Sequence, residues 1–284
     1  MEEMQRFVVD TNFIKDEGLR EYLSASRFNR AVIGQPQLIE IHKKHSHVDA
    51  RKLLGLVCEF PAQIVILHSQ ATLYDMVGST SRLIRQLTDA RQTGAFPAFC
   101  DTVVRRNDGV ADAHFAAMEQ QAALYIEDLK ATSLKMVNLF NLSADGLTDA
   151  EVLLLRRRVP YSTELQRKLI DMTFGVTGVI LTGAGVDRAL WPKKNTLAVN
   201  TFAFRYALFV VMYFTRWMKN GQAQIENADK LVNQIMDLQI AALASFFDGL
   251  KTREKKLIDI FEEGRSFVSQ IGGYVECGRA RTQK

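Results

Sequence analysis

An apolar run that stops at an acid constrains this chain more than any other feature. Phe7-Val8-Val9 breaks off into Asp10-Thr11-Asn12. A continuous apolar run of this length, closed by polar residues, reads as a buried parallel strand. The carboxyl end of such a strand is where open α/β sheets place their ligands. Parallel neighbours need crossover connections, usually helices, so the opening residues already point to the α/β class.

The rest of the chain is read against that strand. Lys15–Ser26 has Leu19, Tyr22 and Leu23 on one helical face. Ala31–Ile33 is a second short strand. Pro36 follows at a helix start, where proline is tolerated, and the helix Gln37–Lys44 turns Leu38 and Ile41 inward while carrying Glu40. Ala50–Phe60 reads as a helix and Gln63–Leu67 as a third strand. From about Gln70 to Asn195 the periodicity is mostly helical. Ala111–Leu142 is long and amphipathic, with Leu124, Leu129, Leu134 and Val137 among its apolar positions. Thr148-Asp149-Ala150-Glu151 is a capping box opening a helix over Asp149–Arg158, which Pro160 closes. The last third alternates again. Thr201–Lys219 is a strongly apolar helix ended by Asn220-Gly221. Glu226–Ser245 is a second helix, Phe246–Lys251 a short strand, and Thr252 the cap of a helix to about Glu263. Both ends of the chain are therefore expected to share one sheet.

Composition sets outer bounds. With 284 residues, 47% hydrophobic and 24% charged, the chain can build a sizeable core. Its formal net charge of +4 suits a polyanionic partner, and equally an ordinary solvated surface. Cys58, Cys100 and Cys277 show neither zinc spacing nor a disulfide framework, which points to a reducing compartment and a cytoplasmic protein. Glu2 and Glu3, with no apolar stretch behind them, argue against a signal peptide. Phe202–Met218 carries Arg205 and Arg216, and Met172–Val186 is short and glycine-rich, so both read as buried segments and not as membrane spans.

Candidate chemistry lies in acids at strand ends. Hydrolysing a phosphodiester calls for an activated water and a screen for developing charge, which Mg²⁺ or Mn²⁺ held by carboxylates can provide. Asp10 ends the first strand, where a carboxylate among apolar residues is costly unless it is used; a plain helix cap is the alternative. Glu40 sits among Leu38, Ile39 and Ile41, compatible also with a surface position. Asp237 lies on an apolar helix and shares a face with Asn233, four residues earlier. Glu254 follows Thr252 at a strand-to-helix junction, a place that also suits ordinary capping.

Taken together, these segments resemble the motifs of PIN-domain nucleases. Val8-Val9-Asp10-Thr11-Asn12 looks like the first motif, and Gln35-Pro-Gln-Leu-Ile-Glu40 like the second. Asn233-Gln-Ile-Met-Asp237, followed by Phe247-Asp-Gly-Leu-Lys-Thr252-Arg-Glu254, looks like the C-terminal half. The resemblance implies a three-layer α/β/α fold with a small parallel sheet, split between residues 1–70 and 196–268. A mostly helical insertion would occupy 71–195 and a tail 269–284. It implies a carboxylate cluster of Asp10, Glu40, Asp237 and Glu254 binding Mg²⁺ or Mn²⁺, supported by Asn12, Asn233 and Thr252. It also implies endoribonuclease activity. Glu254 stands where the family usually has Asp, and its extra methylene shifts the carboxylate.

Further residues are assigned around this site. Arg205 interrupts an apolar helix and must be satisfied there; it would meet the carboxylates or a phosphate, or else make a structural ion pair. Lys251, Arg253 and Lys255 flank Glu254 and would grip RNA phosphates. His42, His45 and His47 lie close together without a cysteine partner, a weak zinc signal. Arg156-Arg157-Arg158 reads as complementation of a helix end. The leading expectation is an RNase acting on RNA more than DNA, of the toxin or antiphage-effector kind, with the insertion serving a regulatory partner or self-association. The alternatives are an inactive PIN-like scaffold and a DNA-directed nuclease.

Overall fold

A computed structural model describes residues 4–44, 47–78, 82–104, 109–156, 161–192, 195–221 and 228–276. Four short strands, β1 (Gln5–Val9), β2 (Asn29–Ile33), β3 (Ile64–Ile66) and β4 (Gly249–Lys251), form one all-parallel sheet in the order β3-β2-β1-β4. Register is set by Phe7 beside both Ala31 and Gly249, and by Ile33 beside Ile66. The chain steps outward from β1 to β2 and β3, then returns to the far side of β1 as β4. That reversal at β1 is a topological switch point, where the loops leaving neighbouring strands diverge and open a crevice.

Alternation along the strands loads two separate cores. Val9, Ala31, Ile33, Ile64 and Ile66 face one side. There they meet α1 (Thr11–Ile14), α2 (Glu17–Ala25), α4 (His47–Val57) and α7 (Ala90–Phe99). Between β2 and α4, α3 (Gln35–Lys44) carries residues into both cores. Val8 and Val32 face the other side, a larger core. Its helices include α5 (Gln70–Tyr74), α6 (Leu83–Leu87), α8 (Gly109–Asp145), α9 (Asp149–Arg156) and α10 (Thr163–Gly183). After the short α11 (Asn195–Ala198), α12 (Phe202–Lys219), α13 (Ala228–Ala244) and α14 (Lys255–Gln270) complete it. Phe202, Phe209 and Phe214 of α12 are fully buried, each side chain contributing about 1.5–3 kcal/mol of burial. Helix α14 approaches α12 so closely that a Cβ at Gly264 would lie 2.3 Å from the Phe209 ring.

The helical block from residue 70 onward shares this larger core: α8 packs on α3 and α13, and α9 and α10 pack on α12. No helix among the described residues is long and apolar enough to cross a membrane.

Several boundaries differ from expectation for identifiable reasons. The helix expected over Lys15–Ser26 forms as α2 over Glu17–Ala25, started by Asp16, which accepts from Gly18 N at 2.8 Å; a separate short helix, α1, capped by Asp10, precedes it. The last helix starts at Lys255 and not behind a Thr252 cap; Glu254 occupies the cap position, and the helix runs on to Gln270, past Glu263 and into the expected tail. The box at Thr148 and Glu151 forms as expected, with Thr148 N donating to Glu151 Oε2 at 2.8 Å and Glu151 N to Thr148 Oγ1 at 3.3 Å. Its helix is described to Arg156; residues 157–160, including Arg157, Arg158 and Pro160, lie outside the described residues.

The cysteine reading is corrected. Cys58 at the end of α4 and Cys100 after α7 form a disulfide across 42 residues, with Cα atoms 5.3 Å apart. A bond between residues that far apart leaves no spacing pattern to read, and the inference of a reducing compartment loses its basis. Cys277 lies outside the described residues.

Candidate active site at the carboxyl end of the first strand

Asp10 leaves β1 at the switch point. Its backbone N donates to Lys251 O at 2.9 Å, so β1 and β4 are still paired where the acid emerges. The side chain is 3% exposed. Oδ1 accepts from Thr11 N at 2.7 Å, and Oδ2 accepts from the Thr252 hydroxyl at 2.7 Å. A hydroxyl carries one hydrogen. Thr252 stands 3.4 Å from Asn12 Oδ1, so its proton goes to the nearer Asp10, while its oxygen accepts from Glu254 N at 3.0 Å. Thr252 therefore joins the Asp10 carboxylate to the backbone of Glu254 through a single side chain. Asn12 Oδ1 accepts from Arg253 N at 3.1 Å, fastening the loop after β1 to the loop after β4.

Glu40 enters from α3. Its Oε2 accepts from the Thr11 hydroxyl at 2.8 Å, one residue from Asp10. The start of α3 is fixed by Gln37, which is fully buried, accepts from Gly34 N at 3.1 Å and donates to Val9 O at 3.1 Å. Burial, followed by the charges of Glu40 and Glu254, pushes the Asp10 carboxyl from 3.8 up to about 6, against the opposing hydrogen bonds from Thr252 and Thr11. Three acids from three elements thus act on one point.

Asp237 is half-buried on α13 between the buried Met236 and Leu238. One turn earlier, Asn233 Oδ1 accepts from Lys43 Nζ of α3 at 2.9 Å. Glu40 and Lys43 share a face of α3, and Asn233 and Asp237 share a face of α13, so these two faces meet. Among the described residues no group of three or more His, Cys, Asp or Glu side chains stands close enough to hold a metal ion.

The basic residues divide. Lys251 is half-buried, with Nζ 4.6 Å from the centre of the Phe7 ring and 4.7 Å from that of Tyr22; burial lowers its pKa. It was expected to meet RNA; in the fold its ammonium lies over aromatic rings. Arg253 grips Asp16 with two bonds, at 2.7 and 2.6 Å. Lys255 is exposed at the start of α14.

Arg205 is also corrected. It is fully buried, and its partners are Val199 O at 3.2 Å, Ser245 O at 2.6 Å, Ser245 Oγ at 3.1 Å, Asn200 Oδ1 at 3.1 Å and Tyr274 O, with Phe246 stacked 3.6 Å away. Ser245 and Phe246 precede β4, so Arg205 lies toward the amino end of the sheet, opposite Asp10. Carbonyl and hydroxyl oxygens of the fold satisfy it, so of the expected roles the structural one fits, with neutral oxygens in place of an ion-pair carboxylate.

His42 is buried against Phe115, 5.7 Å between ring centres, while His45 and the side chain of His47 lie outside the described residues. Thr11, Gln37 and Lys43 were not singled out as site-positioning residues. The hydroxyl directly after Asp10 is the one signal that could have found Thr11; Gln37 and Lys43 carry none without the fold. No protein-family model, no curated protein and no solved structure matches this chain.

Proposed function

We propose that this chain is a metal-dependent endoribonuclease of PIN-like architecture, with Asp10 central to a carboxylate set that includes Glu40, Asp237 and Glu254. The observation that carries this reading is Asp10: a buried acid at the sheet's switch point, raised to about 6 by burial and by two further carboxylates. Such a group is short of positive charge, and a divalent cation is the counter-ion that oxygen donors of this kind select. When bound, Mg²⁺ or Mn²⁺ would supply an activated water and neutralise charge developing on phosphorus.

The chain's own residues prepare that arrangement. Thr252 orients Asp10 and ties it to Glu254, Thr11 holds Glu40 beside Asp10, and Lys43 steadies Asn233 one turn from Asp237. Gathering the carboxylates on one cation asks for side-chain movement, which the exposed Glu254 makes at little cost. Lys255 is the basic residue best placed to meet an RNA phosphate. Service as a toxin or antiphage effector, with the helical block of residues 71–195 engaging a regulatory partner or a second copy, rests on family analogy.

The test is cleavage of single-stranded RNA in Mn²⁺ by purified wild type, Asp10→Asn and Asp237→Asn. Each substitution is expected to lower the rate about 1,000-fold, roughly 4 kcal/mol of barrier, with the fold intact by circular dichroism. Equal cleavage by all three would sink the assignment. A non-catalytic scaffold is the second reading, favoured by the absence of a metal-holding group among the described side chains as they stand; RNA cleavage by the wild type alone would exclude it.

A further inference from the structure

A cavity of about 760 Å³ lies away from Asp10. It opens beside Arg6, Arg82, Arg85 and Arg91, with His68 and Tyr274 also on its wall. Arg6 stands near the amino end of β1, roughly 13 Å along the strand from Asp10 at 3.3 Å per residue.

The charges in this cavity do not balance. Arg6 Nη2 pairs with Glu276 at 3.1 Å, and His68 Nδ1 lies 3.6 Å from Asp89. Arg82, Arg85 and Arg91 have no carboxylate partner among the described residues, which leaves three cations on one wall. Arg6 Nε is buried and has no hydrogen-bond partner. An atom closed to solvent is closed to a ligand in the cavity as well, so the attraction for an anion rests on the exposed Arg82, Arg85 and Arg91. Several arginines lining one cavity suit phosphate oxygens, which guanidinium groups bind with paired N–H donors. The volume lies within the range of small-molecule sites, well beyond what a lone phosphate fills. Leu83, Ile84 and the Tyr274 ring add apolar wall, and an aromatic ring gives a base a face to stack on.

We propose that this cavity is a second site, for a nucleoside phosphate: the arginines take the phosphate and the Tyr274 ring takes the base. The phosphate can belong to a free nucleotide or to the 5′ end of an RNA strand. The site is independent of the nuclease reading, because none of its residues belongs to the Asp10 set.

Calorimetric titrations of the full chain with ADP, with pyrophosphate and with a 5′-phosphorylated oligoribonucleotide test it. ADP or the oligonucleotide is expected to bind more tightly than pyrophosphate, and which of the two does so names the source. Arg85→Ala combined with Arg91→Ala, two exposed positions, is expected to weaken that binding about tenfold or more. Tyr274→Leu is expected to weaken ADP or oligonucleotide binding while leaving pyrophosphate binding unchanged, and Asp10→Asn to leave ADP and pyrophosphate binding unchanged. Binding untouched by the double substitution, or no heat with any of the three ligands at millimolar concentration, would overturn the site. Equal affinity for pyrophosphate and ADP would overturn the nucleoside assignment.

Discussion

Asp10 and Arg205 are both buried charges beside the same sheet, and they are treated oppositely. Arg205, toward the amino end, has five hydrogen bonds to oxygen acceptors and a ring across its face. Burial lowers it to about 9, yet it stays protonated at neutral pH. Asp10, at the carboxyl end, receives two hydrogen bonds and faces Glu40 and Glu254. One charge is satisfied by the fold; the other is opposed by burial and by two neighbouring carboxylates. That contrast separates a structural group from a candidate functional one, although the sequence presents both simply as charges in apolar surroundings.

The largest stability effect tests the satisfied end. Arg205→Met would strand the oxygens of Ser245, Val199 and Tyr274 without a donor, and is expected to cost about 3–5 kcal/mol in chemical denaturation. A cost below roughly 1 kcal/mol would mean that the site tolerates loss of the cation and would break the comparison.

Asp10→Asn should act in the other direction. The Asp10 carboxyl is raised from 3.8 to about 6 in the folded chain, so between those values the folded state binds more protons than the unfolded one. The protonated form's contribution is fully present below 3.8 and is lost as pH rises through about 6; above that the carboxylate is a standing cost. In chelator, Asp10→Asn should match wild type near pH 4 and exceed it by up to roughly 3 kcal/mol near pH 7.5. A variant less stable than wild type at the higher pH would show that the carboxylate is stabilising and not in need of a counter-ion.

The smallest effect sharpens the picture at a single bond. Thr252→Val removes the hydroxyl that lowers the Asp10 pKa and accepts from Glu254 N. About 1 kcal/mol of stability should be lost, and the Asp10 titration, followed by carbon-13 NMR, should move further upward. An unmoved titration would remove Thr252 from the site.

Much of the sheet was legible because short apolar runs ending in polar residues have few other uses; β1, β2 and β3 fall where Val8-Val9, Val32-Ile33 and Val65-Ile66 place them. Asp10 stood out as an acid closing such a run. The proximity of Glu40 and Glu254 to it rested only on the order of the segments, since contacts across 30 and 244 residues leave no local trace. Arg205 was misplaced because periodicity finds a buried cation without naming its acceptors, and backbone carbonyls are the same at every position. Thr252 was expected both to cap the last helix and to support the carboxylates; its hydroxyl donates to Asp10 and accepts from Glu254 N, while Glu254 takes the cap position. The Cys58–Cys100 bond went unread because nothing in a 42-residue separation specifies pairing.

Titration of the wild type and Asp10→Asn with Mn²⁺ near pH 7, followed by calorimetry, addresses the central claim most directly. Wild type is expected to bind at least one Mn²⁺ with release of protons from the Asp10 set, and Asp10→Asn to give no binding heat. Identical isotherms for the two proteins, or no binding by wild type, would contradict the account of Asp10 as a carboxylate awaiting a cation.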